Sequence, residues 1–519
     1  MNPTLQSIAD DLFGYLGKTF PVCCGSDEFH YFPQIVPSKE GWAGWDDFAP
    51  ESVEEAGKRL SSVENDIGRF LEKGAAPDLR ADAETLRRTA RTLREQLCEV
   101  RFQETQPTFH LTVLCTALAS SLGAPDRRVW GIRAKTVPTF LARAAASLTG
   151  MPRLFRDQGL AMVRDTEGWL RSLAVPEIEV APVLSAVERF GDFLRNARTR
   201  SDHLLPSGIA ERIVREHIGC GVGLDEVRDA ILEEIREMDE VMGAECRTLF
   251  PGEGWREAVR KIPPPEIPEG GVLAVYRMEA DSLLRHCIRE GIVPEDLPEA
   301  SPLQVVPMPP YLKAIRAASA YSFTPEHPSR KGTFFIVPSD GSWDDNREDL
   351  ADYRMLTAHE AYPGHHLLDT WRWHFVSPVL RPVEMPLFYE GWACFAEELM
   401  RTTGYFSGPA DRLLLAKRRY RRAVRGLVDL DLQTGKLDQG SAADLLADTG
   451  FPRDAAFTAA AKYALRPGYQ VCYTFGLRRF LDLYGRYGSH GAKRFAGTVL
   501  SCGEIGFDLL ERILRMRFG

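Results

Sequence analysis

Three histidines and a glutamate lie within eight residues of this 519-residue chain: His359, Glu360, His365 and His366. A His-Glu pair on a helix, with another histidine one turn later, is the arrangement of zinc proteases. The imidazoles bind the metal, and the glutamate acts as a base toward a water molecule. The usual spacing between the two ligands is four, because residues four apart share a helix face. Here the next histidines come six and seven residues after His359.

Pro363 and Gly364, which lie between the histidines, indicate how this spacing is accommodated. Proline clashes with the carbonyl four residues earlier and lacks an N–H, and glycine permits backbone shapes that other residues resist. We therefore expect one helix that widens or kinks here, as at a π-type bulge. A bulge that absorbs two residues places His365 on the face of His359. To place His366 there, the bulge would have to absorb three residues, so His365 is the predicted second ligand.

A catalytic zinc site needs a third protein ligand and an open position. Glu390 lies in a helix-like segment 31 residues after His359, and it is the predicted third ligand. Glu397 lies two turns later on the same face, where a carboxylate can orient a ligating imidazole. Two other interpretations stay open, a surface loop with chance histidines and a solvated acid at a helix N-terminus.

Later residues are candidates for the rest of the site. A phenol near a metal can donate a hydrogen bond to a developing oxyanion, and Tyr473 is the predicted donor, with Tyr463 and Tyr469 as rivals. Arg425 lies on a basic helix, usually a solvated face. It is predicted to assist Tyr473, to pair with Asp429 or to meet a substrate carboxylate. His366 is expected to bond Glu397 or Asp429, or to contact substrate. The predicted supporting or substrate-contacting residues are His366, Glu397, Asp429, Tyr469 and Gln470.

The sequence resembles, at these motifs, the bacterial family called domain of unknown function 885. His-Glu-Ala-Tyr-Pro-Gly-His-His at 359–366 and Glu-Gly-Trp-Ala at 390–393 carry the likeness. The motif is also similar to the shorter His-Glu-x-Gly-His of the carboxypeptidase Taq and thimet oligopeptidase families, which are gluzincin-like zinc metallopeptidases. The resemblance implies a mainly helical, zinc-dependent, hydrolase-like protein. Relatives often carry Asp-x-Gly-x-His where this chain has Asp429-Leu-Asp-Leu-Gln433, a departure that points to another substrate or reaction.

Composition excludes several classes of protein. The net charge of −9 argues against a nucleic-acid or anionic-membrane binder. Ten cysteines show neither metal-type pairing nor a disulfide framework, which predicts a cytoplasmic protein. The N-terminus lacks the basic and apolar regions of a signal peptide, and no 18-residue apolar stretch predicts a membrane span.

Apolar periodicity predicts a mainly α fold, a large multi-helix metallopeptidase-like architecture. A Pro/Gly-rich linker at 262–271 predicts a helical N-terminal subdomain, residues 1–262, and a metal-binding catalytic subdomain, residues 271–519. Short β-patterned runs within 300–340 predict a small antiparallel sheet beside the metal site.

Together these patterns predict a zinc-dependent hydrolase that cleaves amide bonds of a small peptide or amino-acid derivative. Zinc suits two imidazoles and a carboxylate, although iron or manganese fits the same donors. One alternative is a metal-dependent lyase or isomerase acting on a small amino-acid-derived metabolite. Another is an inactive helical scaffold. The expected partner is a small peptide or small-molecule substrate.

Overall fold

The computed structural model describes residues 4–36, 43–123, 126, 128–173, 179–206, 208–316, 318–324, 331–337 and 350–519. Helices dominate these residues and one small sheet accompanies them, so the predicted mainly α fold is confirmed. The first fifteen α-helices are α1 (Leu5–Thr19), α2 (Pro21–Cys24), α3 (Pro50–Glu72), α4 (Pro77–Glu95), α5 (Phe102–Thr105), α6 (Pro107–Gly123), α7 (Arg128–Ser147), α8 (Arg153–Ser172), α9 (Ala181–Asn196), α10 (Ile209–Arg212), α11 (Leu224–Leu249), α12 (Trp255–Lys261), α13 (Gly271–Arg289), α14 (Leu297–Ala300) and α15 (Pro310–Ile315).

Nine further helices follow: α16 (Tyr353–Glu360), α17 (His365–Phe375), α18 (Pro386–Thr402), α19 (Pro409–Gln433), α20 (Gln439–Ala447), α21 (Arg453–Leu465), α22 (Val471–Tyr487), α23 (Ala492–Ser501) and α24 (Phe507–Phe518). Two π-helical segments, Gln96–Val100 and Ile213–Ile218, and the 3₁₀ turn Gly488–His490 complete the helical elements of the described chain. Among the described residues, no helix is both long enough and apolar enough to cross a membrane.

The chain folds into two compact units. The first comprises Met1–Leu205, Pro309–Ala317 and Ser377–Glu384, and the second comprises Pro206–Met308, Ala318–Val376 and Met385–Gly519. Residues 262–270 form a connection between α12 and α13 without helix or strand, but they lie inside the second unit. The division therefore differs from the predicted boundary, because α11 packs along α19 and belongs with the C-terminal helices.

The first unit is a helical assembly whose core follows the predicted periodicity. Helices α3 and α4 form an antiparallel pair, and Leu60, Ile67, Leu86 and Leu93 are buried. The two helices are separated by residues 73–76, and proline at the first position of α4 suits a helix start.

The sheet has three strands, β1 (Leu303–Pro307), β2 (Ala320–Thr324) and β3 (Lys331–Ile336), in the order β1-β3-β2. Strand β2 pairs antiparallel with β3, but β1 pairs parallel with β3. The prediction of a purely antiparallel sheet is therefore wrong, and the sheet is mixed. The connection explains the difference, because the chain passes through α15 between β1 and β2, and a long crossover permits parallel pairing.

The sheet packs one face against α13. Gly332, Phe334 and Ile336 alternate with less buried neighbours along β3. Phe334 and Ile336 join Val272 and Tyr276 of α13 in one buried cluster, and the Tyr276 and Phe334 rings meet edge to face at 5.6 Å. This packing gives β2 and β3 a fixed support beside the helices that carry the histidines.

Candidate metal centre

The histidine motif spans two helices. Helix α16 ends at Glu360, and α17 begins at His365 after a four-residue connection that contains a cis Tyr362–Pro363 peptide bond. The prediction of one continuous, bulged helix is therefore wrong. Proline cannot continue the hydrogen-bond ladder of α16, so the chain leaves the helix and starts another. The break nevertheless brings the ring of His365 to that of His359, with centroids 4.8 Å apart.

Two contacts hold the connection in place. The indole Nε1 of Trp392 on α18 donates a hydrogen bond to the Pro363 carbonyl at 2.9 Å. A Cβ on Gly364 would lie 1.8 Å from the carbonyl oxygen of His359, so the backbone passes where no side chain fits. Glycine is therefore required at 364 by close packing rather than by a positive φ.

His359, His365 and Glu390, the three predicted ligands, come together in the structure. The Nε2 atoms of both imidazoles lie 3.5 Å from Glu390 Oε2, and the three donor atoms all lie within 4.8 Å of one another. All three side chains are buried. Donors that hold zinc at about 2.1 Å in a tetrahedron are about 3.4 Å apart, and both imidazole–carboxylate distances match this separation.

One buried atom supports this fit. Glu390 Oε2 has no hydrogen-bond partner among the described residues, and its 3.5 Å distance to each imidazole is long for an N–H···O bond. Buried polar atoms are seldom left unpaired, and an ion between the imidazoles would satisfy Oε2. The His365 ring stacks on the Tyr389 ring at 4.1 Å, which fixes its orientation by packing.

The other oxygen of Glu390 is held by two phenols. Tyr469 and Tyr473 donate hydrogen bonds to Oε1 at 2.7 and 2.9 Å. Burial, followed by the negative charge of Glu390, raises the pKa of Tyr473 well above its usual value, so the phenol keeps its proton. Tyr473, the predicted oxyanion donor, is therefore engaged with a predicted ligand, and so is its rival Tyr469. Tyr463 contacts Arg425 through its ring instead.

The close crossing of α18 and α22 brings Tyr473 to Glu390. A Cβ on Gly476 would lie 2.4 Å from the Leu387 carbonyl oxygen, and one on Gly391 would lie 2.8 Å from the Gly476 backbone. The two backbones therefore touch where both residues lack side chains. Gly391 follows Glu390, and Gly476 lies one turn after Tyr473.

Glu397 lies behind the first imidazole, as predicted for an orienting carboxylate. His359 Nδ1 is 3.1 Å from Glu397 Oε1, which also accepts a 2.7 Å hydrogen bond from Arg422. Arg422 also lies 3.2 Å from Nδ1. Because an ionised carboxylate can only accept, the contact with Glu397 requires the proton on Nδ1, which leaves Nε2 facing Glu390. The approach of Arg422 to Nδ1 is then not a hydrogen bond. Burial raises the pKa of the Glu397 carboxyl, but the charges of Arg418 and Arg422 outweigh it and hold that pKa well below its usual range.

Glu360, the predicted base, is anchored by one oxygen. The backbone N–H of Tyr321 on β2 donates to Glu360 Oε2 at 3.0 Å. No hydrogen bond to Oε1 occurs among the residues that the structure describes, so this oxygen is available to a proton. The Tyr321 ring also lies parallel to that of His365, with centroids 6.3 Å apart, so one residue of the sheet contacts both halves of the motif.

His366 contacts neither of the two predicted acids. Its Nδ1 lies 3.0 Å from the Tyr321 hydroxyl, and its Nε2 lies 3.1 Å from the Ser301 carbonyl. Nε2 therefore carries the proton and Nδ1 accepts from the phenol. Burial lowers the pKa of His366 to about 3, so the ring is neutral. A Cβ on Gly332 would lie 2.3 Å from Nδ1, so glycine makes room for the ring.

Asp429 and Gln470 fix the start of α22. Asp429 accepts hydrogen bonds from the backbone N–H groups of Gly468 at 3.1 Å and Gln470 at 2.9 Å. Burial raises the pKa of Asp429 to about 7 despite these bonds. Arg425 donates through Nε to Gln470 Oε1 at 2.9 Å and makes no ion pair with Asp429 within the described part of the chain. Asp429 therefore positions Tyr469 and Tyr473 through the backbone.

The sequence interpretation missed three contributors. The Tyr321 amide gave no signal, because a backbone donor is independent of residue type. Arg418 and Arg422 belong to the run taken as a solvated face, yet both bind Glu397. The two arginines are four residues apart and so share one helix face, which is the sequence signal for a pair that acts together.

Solved structures of low sequence identity share this fold. A "putative lipoprotein of unknown function from Shewanella oneidensis" aligns over 99% of this chain and 100% of its own, with 15% identity and a TM-score of 0.78. A "putative lipoprotein from Colwellia psychrerythraea" aligns over 99% and 98%, with 15% identity and a TM-score of 0.82. At these identities the likeness concerns the fold alone.

The comparisons give no support to the predicted similarity to zinc metallopeptidases. A structure titled "BsuCP Crystal Structure" aligns over 99% of this chain and 97% of its own with 10% identity and a TM-score of 0.38, which carries no argument. No curated protein matches the chain. A family model does match residues 39–514. The chain therefore belongs to the family described as bacterial protein of unknown function (DUF885).

Proposed function

We propose that this protein is a zinc-dependent hydrolase that cleaves an amide bond in a small peptide or amino-acid derivative. The observation that carries the proposal is the convergence of His359, His365 and Glu390 on one point, with Glu390 Oε2 left without a hydrogen-bond partner. Two imidazoles and one carboxylate are the donor set of catalytic zinc in metallopeptidases, and iron or manganese accepts the same donors. The His-Glu motif supports the finer proposal of a gluzincin-like metallopeptidase.

Zinc, when bound, supplies a Lewis acid and lowers the pKa of water. The chain's own residues handle the proton. Glu360 is fixed through Oε2 by the Tyr321 amide, so Oε1 is presented in one orientation to take a proton from the attacking water. The same oxygen then delivers that proton to the leaving nitrogen. Glu397, backed by Arg418 and Arg422, keeps the proton of His359 on Nδ1 and so keeps Nε2 available to a metal.

The lyase or isomerase alternative was based on Gln433, where relatives often carry histidine. Its side-chain nitrogen lies 3.4 Å from the carbonyl oxygens of Tyr463 and Ala464. This buried amide faces helix α21 and also hydrogen-bonds Asp429, which holds the start of α22. Neither contact gives a reason to prefer a lyase or isomerase, and we place hydrolysis first. The arrangement of ligands and base likewise supports an enzyme over an inactive scaffold.

Glu360→Gln tests the proposal. The amide keeps the shape and the hydrogen bond from Tyr321 but cannot accept a proton, so turnover should fall by about 10²- to 10⁴-fold, the contribution typical of a general base. The wild type and variant are compared by zinc analysis and by mass spectrometry of a mixture of short peptides. Zinc in both proteins, with cleavage only by the wild type, supports the proposal. A zinc-loaded wild type that cleaves no peptide contradicts it, and a protein purified without metal contradicts the zinc site.

Location and partners are further parts of the proposal. We infer a cytoplasmic protein that acts on a small peptide or small molecule and binds neither nucleic acid nor membrane. The ten cysteines show no disulfide among the described residues, which supports a reducing compartment. The two structural neighbours are called lipoproteins, a name that favours a membrane anchor instead. Fractionation of cells followed by immunoblotting separates these alternatives.

A further inference from the structure

Helix α19 carries arginines whose partners differ sharply. Arg418 binds Glu397 and Asp352, Arg419 binds Glu234 and Glu398, and Arg422 binds Glu397. Each of these three is neutralised by a carboxylate of the protein. The solvated-face interpretation of this run is wrong for them, because their charges are used inside the second unit.

Arg421 and Arg425 lack such partners. In the part of the chain that the structure describes, no carboxylate lies within ion-pair distance of either guanidinium. Arg425 bonds only the neutral Gln470 Oε1, and its guanidinium lies 4.6 Å from the centroid of the Tyr473 ring. Arg421 packs on the Phe451 ring at 4.3 Å. Both residues are only partly exposed.

Two like charges one helical turn apart repel each other, and partial burial removes the water that would screen them. Burial lowers the pKa of Arg421 below its usual value, and the negative charge of Asp352 offsets this only in part. Ring faces and a neutral amide position a guanidinium but leave its charge uncompensated. An anion that binds both guanidinium groups relieves the repulsion between them. It also accepts hydrogen bonds from two donors that are already held in place.

The pair lies next to the candidate metal centre. The Tyr473 ring that stacks under Arg425 donates its hydroxyl hydrogen to Glu390 Oε1 at 2.9 Å. One aromatic ring therefore separates the arginine from a predicted ligand. A peptide extends about 3.5 Å per residue, so a charge held there lies within about one or two residues of the bond at the centre.

We propose that Arg425, with Arg421, binds the free carboxylate of the substrate, so that the enzyme acts on the last one or two bonds before a C-terminal carboxylate. This inference rests on the proposed hydrolase. Of the three roles predicted for Arg425, it selects contact with a substrate carboxylate, and it adds Arg421 as the second donor. Arg425 is positioned for this role by Gln470, whose backbone N–H is held by Asp429.

The first experiment measures hydrolysis. Zinc-loaded protein is given a mixture of all dipeptides with a free C-terminus and the same mixture with a C-terminal amide, and products are quantified by mass spectrometry. The wild type should prefer the free acids, and Arg425→Gln should lose about 10- to 100-fold of the free-acid rate, the range for a charge-assisted bidentate pair. Its rate on amides should fall much less than its rate on free acids. Arg421→Gln should lose less of the free-acid rate. The free-acid rate of Arg425→Lys should lie between those of the wild type and Arg425→Gln, because lysine keeps the positive charge but not the two parallel N–H donors of the guanidinium.

The second experiment measures binding without turnover. The Glu360→Gln protein is mixed with each dipeptide mixture, and retained peptides are measured after ultrafiltration. Free acids should be retained over amides, and adding Arg425→Gln should remove that preference. Arg515→Gln, an exposed position, is the matched control for loss of one positive charge. Zinc content and circular dichroism identify any variant that has lost its fold. If Arg425→Gln does not fold, Arg425→Lys replaces it.

The two experiments separate the two proposals. Retention of free acids that depends on Arg425, without hydrolysis in the wild type, upholds the carboxylate site and overturns the hydrolase. Equal loss on acids and amides in Arg425→Gln overturns the carboxylate site and leaves the hydrolase standing. Failure to retain any dipeptide, or equal retention of acids and amides, also overturns the carboxylate site.

Discussion

At the scale of single residues, the two adjacent histidines have different surroundings. His365 presents Nε2 to Glu390, whereas both nitrogens of His366 are occupied by Tyr321 and Ser301. The structure groups His365, and not His366, with His359 and Glu390. The route differs from the predicted bulge, because the chain leaves α16 and starts a new helix at His365. The partners of His366 were not predictable from spacing, since they come from β2 and from the residue that follows α14.

His365→Ala and His366→Ala should therefore differ in metal content. His365→Ala removes a donor from the cluster. Its zinc affinity should therefore fall further than it does when a residue that only orients a ligand is replaced, a loss of about 10- to 100-fold. The His366→Ala protein should keep its zinc but turn over more slowly. In this variant the Tyr321 hydroxyl loses its hydrogen-bond partner, and the backbone amide of the same residue is the group that fixes Glu360.

Zinc per chain after dialysis, with turnover measured on the same samples, checks this prediction. A zinc-free His366→Ala protein beside a loaded His365→Ala protein would show that the ligand assignment is reversed. Comparable zinc loss in both variants would show that the two rings act together.

At the scale of elements, the site depends on close backbone approaches. Local pattern predicts α3, α4 and α11 well, because their apolar periodicity is sufficient to define them. The two-helix form of the histidine motif combines a local cause, Pro363, with a contact from Trp392 on α18. The parallel pairing of β1 with β3 depends on contacts distant in sequence. Gly391 and Gly476 mark another such contact, but a glycine in a sequence does not say which backbone it admits.

Substitution of Gly476 tests the crossing of α18 and α22. Gly476→Ala places a Cβ where the Leu387 carbonyl lies, and overpacking of this kind destabilises by about 1–3 kcal/mol. Because the shift moves Tyr473 from Glu390, zinc affinity should fall as well. The matched control is Gly485→Ala on the same helix, where a Cβ meets no atom within 4 Å. That change should stabilise by about 0.5–1 kcal/mol.

Urea unfolding and zinc titration of both variants make the comparison. Equal stability changes in Gly476→Ala and Gly485→Ala would exclude a tight crossing in solution. Loss of stability with unchanged zinc affinity would show that the crossing supports the fold and not the site.

At the scale of the whole molecule, every candidate ligand, the base and the arginine pair lie in the second unit. The Pro-rich stretch at 262–271 lies inside this unit, because such a stretch breaks helices without necessarily separating cores. Composition predicts the class of protein but does not say which helices share a core, since α11 joins α19 through contacts between residues almost two hundred positions apart.

Metal binding should therefore stabilise one unit selectively. A ligand that binds only the folded state adds about 2.7 kcal/mol at one hundred times its Kd. Hydrogen exchange of zinc-loaded and chelator-treated protein, read by mass spectrometry, should slow on zinc binding in α16, α17, α18 and α22. Peptides from α3 and α4 serve as the internal control and should not change. Equal protection throughout the chain would show that the two units respond together, and no protection anywhere would argue against a metal.

The two phenols on Glu390 Oε1 have a consequence for coordination chemistry. An oxygen that already accepts two hydrogen bonds is a poor donor to a cation, which leaves Oε2 as the oxygen of Glu390 that would face a metal. The two phenols also draw the negative charge of the carboxylate toward themselves. A cation held by the imidazoles and this carboxylate would therefore keep more of its positive charge. The tyrosines would then tune the electrophilicity of the centre without touching the ion.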